Sequence, residues 1–169
     1  MPVFRISKYD PSLRDAAGAY TRKEWTSHGD VGKVFDGAVL TLDEYLAVEE
    51  RYLELLDKFL GWGRVEKLKV CGLEVYDSDS LQRCRGDARP GLSEDVWLDG
   101  AAIREVARLV LREVLWCRLE GQNFYLHFGY DFYMYIGGAA LIGAPPTVTG
   151  LFVERIRESP HGGDGSGVS

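Results

Sequence analysis

Two aromatic runs near the C-terminus carry the side chains most able to do chemistry. They are Phe124–Phe128 and Phe132–Ile136, and both alternate apolar side chains with polar-tipped ones. Successive side chains of a strand point to opposite faces. One face therefore collects Phe124, Leu126, Phe128, Phe132, Met134 and Ile136, and the other Tyr125, His127, Tyr133 and Tyr135. Between the runs, Gly129-Tyr130-Asp131 reads as a three-residue hairpin connection, which pairs Phe128 with Phe132. Trp116 and Arg118 alternate with Cys117 and Leu119, and so extend the polar-tipped face. Tyr, Trp, His and Arg combine large contact area with hydrogen-bonding tips, the composition of recognition hot spots. Tyr130 and Asp131 of the connection, with Trp25 of an upstream loop, complete the candidate binding set.

Catalysis would centre on His127, the one histidine inside a regular element. A general acid or base needs a group that orients it. Glu120, Asp131, Tyr125 and Tyr133 are the available helpers, and Arg118 is a candidate anion clamp, but no spacing fixes any of these pairings. His28 adjoins Ser27, a spacing that does not make a dyad, and His161 falls in the C-terminal tail. Neither H-x-x-x-H nor H-E-x-x-H occurs, and the Cys and His residues do not cluster, so no metal site is expected. The Gly-rich nucleotide fingerprints and the G-x-S-x-G elbow are missing too, and no cofactor is expected.

The elements that must hold these residues follow from periodicity and breakers. Pro2 to Tyr9 alternates as a short strand, which Asp10-Pro11 ends. Residues 10–38 show no sustained period and read as a long ordered loop or a set of short strands and turns. Thr41-Leu42-Asp43-Glu44 is a capping box that opens an amphipathic helix over about 42–60. Glu50, Glu54 and Asp57 lie on its polar side as a solvated face. Val65–Val75 reads as a strand made irregular by Gly72, and 77–95 as loop. Asp99 caps a second helix running to about 114. Pro145-Pro146 interrupts the end of the chain, and Leu151–Glu158 forms a last strand or short helix.

The 169 residues, 46% hydrophobic and 27% charged, suit one globular domain over 1–158, followed by a flexible Gly/Ser-rich tail over 159–169. The expected fold is α+β, with two amphipathic helices on a mostly antiparallel sheet of four to six strands, because hairpin-length connections argue against a parallel sheet. A net charge of -6 opposes nucleic-acid phosphates. No apolar run is long enough for a membrane helix. Three cysteines, Cys71, Cys84 and Cys117, without a C-x-x-C pair or a leader, point to a reducing cytoplasm. Cys117 sits in an apolar stretch, as a buried thiol would.

The strings Phe4-Arg-Ile-Ser-Lys-Tyr-Asp-Pro, Glu24-Trp25-Thr26-Ser27, Leu111-Arg-Glu-Val-Leu-Trp-Cys-Arg-Leu-Glu and His127-Phe-Gly-Tyr-Asp-Phe-Tyr-Met-Tyr resemble those of a family of small bacterial proteins of unknown function. The resemblance covers about residues 3–158. It implies a bacterial, cytoplasmic, stand-alone domain and assigns no catalytic residue. Three functional readings follow. The first is a non-catalytic recognition domain that binds a protein or small ligand through the Tyr/His/Trp face and the 10–38 loop. The second is a small enzyme centred on His127. The third is a structural or oligomer-forming domain. Under any of them the chain is expected to be a monomer or weak homo-oligomer.

Overall fold

The computed structural model describes residues 1–84 and 91–160. Residues 85–90 of the expected 77–95 loop, and the tail from His161 onward, lie outside the described residues. In chain order the elements are β1 (Val3–Ser7), β2 (Val34–Phe35), β3 (Ala38–Val39), α1 (Leu42–Gly63), β4 (Lys67–Val75), α2 (Ser78–Cys84), β5 (Trp97–Asp99), α3 (Gly100–Leu111), β6 (Leu115–Glu120), β7 (Phe124–Phe128), β8 (Met134–Gly138) and β9 (Phe152–Ile156). Seven strands form one sheet in the order β5-β4-β6-β7-β8-β1-β9, and every neighbouring pair is antiparallel. β2 and β3 make a separate hairpin. With that hairpin, two single-turn helices, Pro11–Leu13 and His28–Asp30, order the 10–38 segment.

The α+β class and antiparallel pairing agree with the sequence, but the strand and helix counts do not. Among the described residues the sheet has seven strands rather than four to six, and there are three α-helices rather than two. α2 occupies part of the expected 77–95 loop. Asp77 accepts the Ser80 N–H at 2.9 Å, so residues that favour turns serve here as a helix cap. Leu81 then anchors this short helix in the core. β5, only three residues long, pairs with β4 at the sheet edge.

α1 opens on the expected capping box. Thr41 Oγ1 accepts the Glu44 N–H at 3.2 Å, and Glu44 Oε2 accepts the Thr41 N–H at 2.8 Å. Asp99 caps α3 by accepting the Ala102 N–H at 3.0 Å. Both helices lie against one face of the sheet. Tyr45, Tyr52, Leu56 and Phe59 of α1, with Ile103, Val106 and Val110 of α3, meet Phe4, Ile6, Leu68, Val70, Leu119, Leu126, Met134 and Ile136. Glu49 sits within the buried stripe at 2% exposed. Its carboxylate takes two 2.8 Å hydrogen bonds from Arg112, and Arg108 lies 3.3 Å away. On the outer side Arg104 bridges Glu50 and Asp57, so the polar side of α1 is tied to α3.

The β7–β8 hairpin differs from expectation in a way that matters for the site. β8 begins at Met134, and Phe128 pairs with Met134 rather than with Phe132. The connection is therefore five residues, 129–133. Asp131 and Phe132 both adopt left-handed backbone, with φ of 57° and 64°. A bulky side chain is rare there, which is why the sequence did not announce the turn. The two-residue offset is even, so side-chain parity survives. Among the described residues no helix is long and apolar enough to cross a membrane.

Candidate functional site

The sheet face away from the helices holds the predicted aromatic-polar row. Tyr125 and His127 stack at 4.3 Å with an interplanar angle of 24°. The Tyr125 ring crosses over Gly137, its partner on β8; a Cβ there would lie 2.4 Å from the ring, so only glycine leaves the space. Tyr135 opposes His127 and Arg5 in the ladder. Tyr133 stacks on Tyr135 at 6.3 Å, and the Arg5 guanidinium lies 5.6 Å from the centre of the Tyr133 ring. Further along, Glu154 is gripped by Arg14 at 2.7 and 2.9 Å and by Arg5 at 3.1 Å. The Arg14 hydrogen bond holds the Glu154 carboxyl below the usual range.

This face is not an open catalytic surface. His127 is 3% exposed. Its Nδ1 lies 3.2 Å from Ser159 Oγ and its Nε2 3.1 Å from Glu120 Oε1. The same Glu120 oxygen stands 3.4 Å from Arg118 Nε, an ion-pair distance without hydrogen-bond alignment. Ser159, which the sequence assigns to the tail, is 4% exposed against the face. The rival enzyme reading thus has its base enclosed and its anion clamp beside a carboxylate.

An open cavity of about 610 Å³ lies instead at the end of the sheet. It is bounded by the β7–β8 turn, the end of β4, the start of β6, the C-terminus of α3 and the 26–27 loop. Val110, Leu111, Leu115 and Phe132 give it apolar walls, and the aromatic residues Trp116, Tyr76, Tyr130 and Tyr133 border it. Glu74, Glu113 and Asp131 supply carboxylates, and among the described residues no Lys, Arg or His lines it. Trp116 is held in place by donating its indole N–H to the Phe128 carbonyl at 3.3 Å.

Three buried phenols fix the elements around this cavity. Tyr9 donates to the Asp131 carbonyl at 2.7 Å and Tyr52 to the Phe132 carbonyl at 2.8 Å, so successive carbonyls of the left-handed pair are clamped. Tyr45 donates to the Leu111 carbonyl at 3.1 Å, at the end of α3. Burial pushes all three phenols up, which keeps them protonated donors. Just beyond α3, Glu113 adopts φ 58°. The Glu113 N–H reaches the Val110 carbonyl and the Val114 N–H the Leu109 carbonyl, each at 3.0 Å. This is a Schellman end, with glutamate where glycine is usual.

The predicted set is therefore divided. Tyr125, His127, Tyr133, Tyr135 and Arg118 lie on the helix-free face; Trp116, Tyr130 and Asp131 line the cavity, which Tyr133 also borders. Trp25 joins neither ring row. It packs edge-on against Phe132 at 5.1 Å and tilted against Tyr45 at 5.5 Å, on the helix side of the turn. Glu74, Tyr76 and Glu113 were not singled out from sequence. The helix expected to run to about 114 took in Glu113, so no signal set that residue apart; α3 in fact ends at Leu111. Among the described residues no group of His, Cys, Asp and Glu is arranged to hold a metal. No protein-family model, curated protein or solved structure matches the chain.

Proposed function

We propose that this chain is a recognition domain that binds a protein or small ligand at the turn end of its sheet. The observation that carries the reading is the cavity of about 610 Å³. Its volume falls in the range of ligand sites, roughly 300–1,000 Å³, and its apolar floor beneath a few polar groups has their usual make-up. Tyr130 at its mouth is 89% exposed and Tyr76 61% exposed, so two large rings stand in water where a partner would cover them. The turn and helix end that frame it are held rigidly by Tyr9, Tyr45 and Tyr52, which favours a preformed site. On the strings shared with the bacterial family above, we place the domain in a bacterial cytoplasm.

The test is a fragment screen followed by amide NMR. Binding should perturb residues 74–76, 113–116 and 129–133, and Tyr130→Ala should weaken those hits without loss of stability. Hits that gather instead at Tyr125, His127 and Glu120 would move the site to the helix-free face, and no hits in either place would remove the reading.

A further inference from the structure

We infer that the turn-end cavity selects an organic cation, a ligand group of guanidinium or ammonium type. This inference rests on the reading of the cavity as the recognition site. Among the described residues the lining carries charge of one sign only, from Glu74, Glu113 and Asp131, with no basic side chain to offset it. Elsewhere the chain pairs many of its carboxylates: Glu24 with Lys8, Glu49 with Arg112, Asp57 with Arg104 and Glu154 with Arg14. Among the described residues none of the three cavity carboxylates forms an ion pair, although Glu74 accepts the Tyr76 hydroxyl at 3.1 Å.

The rest of the lining favours the same kind of ligand. Apolar walls focus the field of the carboxylates into the cavity. The exposed rings of Tyr76 and Tyr130 offer quadrupoles that attract a cation. A metal ion would need converging ligands, and no such group is found among the described residues. A guanidinium presents several N–H donors on a flat frame, which can reach separated carboxylates while stacking on a ring. An anionic ligand would meet repulsion on three sides.

The test compares three amides of nearly equal size by NMR titration and calorimetry: acetyl-arginine amide, acetyl-citrulline amide and acetyl-glutamate amide. Citrulline replaces the guanidinium by a neutral urea of the same shape. The arginine derivative should bind about tenfold tighter than citrulline, a difference of roughly 1.4 kcal/mol, and should weaken as salt is added. Glu113→Gln and Asp131→Asn should each reduce its affinity about threefold or more; asparagine tolerates the left-handed backbone, so the turn is kept. Agmatine binding more tightly than Gly-Gly-Arg-Gly-Gly would assign the cation to a free amine, and the reverse order to an arginyl side chain of a partner protein. Equal arginine and citrulline affinities at the cavity would overturn cation selection while leaving the recognition reading in place. No perturbation of the cavity amides by any of the three would overturn both.

Discussion

Glu113 occupies a position at which the fold and the cavity ask for different residues. Its φ of 58° places a Cβ in the left-handed region at the end of α3, which costs an L-residue roughly 1–2 kcal/mol. Glycine removes that cost but gives up about 0.5–1 kcal/mol of chain entropy. The Glu113 side chain makes no ion pair among the described residues that would be lost. Glu113→Gly should therefore stabilise the protein by about 0.5–1 kcal/mol net. At this chain length that is a rise of roughly 1–4 °C in Tm. Calorimetry reads it directly, and urea unfolding should show a higher midpoint at unchanged slope. Glu113→Ala, which keeps the Cβ, should stay within about 0.5 kcal/mol of the parent. Both variants should lose affinity for the arginine amide. If Glu113→Gly lowers Tm, the carboxylate supports the fold, and the argument that it is retained for the cavity fails.

Four further outcomes are expected. Phe128→Ala and Phe132→Ala should each cost about 3–5 kcal/mol in urea unfolding, and Tyr133→Ala clearly less, because both phenylalanines are buried on the helix side and Tyr133 is half-exposed. Tyr52→Phe strands the buried Phe132 carbonyl and should cost roughly 1–3 kcal/mol, with the largest amide shifts at 131–133. The Glu154 carboxyl is depressed below its ordinary 4.5 by Arg14 and Arg5, so its contribution is present above that pH and is lost as pH falls through the lower folded value. Glu154→Gln should accordingly flatten the acid limb of stability below about pH 4.5 and leave the limb above pH 7 unchanged. Burial pushes the Cys117 thiol up to about 12, and Cys71 is less buried; in native protein at pH 8 Cys71 should thus alkylate before Cys117, which reacts only after unfolding.

Much of the fold could be read from local signals because each acts over a few residues. The capping box at Thr41 and Glu44, the Asp99 cap, the Gly72 irregularity and the alternation of Phe124–Phe128 all reappear in the structure. The register of the hairpin did not, since it depends on a left-handed Phe132 that is tolerated only because Tyr9, Tyr52 and the rings around it hold the turn. Parity survived by the accident of an even offset, and with it the grouping of Tyr125, His127, Tyr133 and Tyr135. β5 and α2 were missed because elements of three and seven residues span at most about two periods, too few for a pattern to stand out. The cavity was the least legible feature. It joins Ser27, Glu74, Glu113 and Asp131, which lie far apart in the chain, and no spacing rule links them.

Fragment crystallography tests the central claim most directly. Crystals soaked with a mixed set of cationic, neutral and anionic fragments should show ordered density among Trp116, Tyr130 and Glu113, with cations the most frequent occupants. Density confined to the region of His127, Glu120 and Arg118 would contradict the account and return the site to the helix-free face of the sheet.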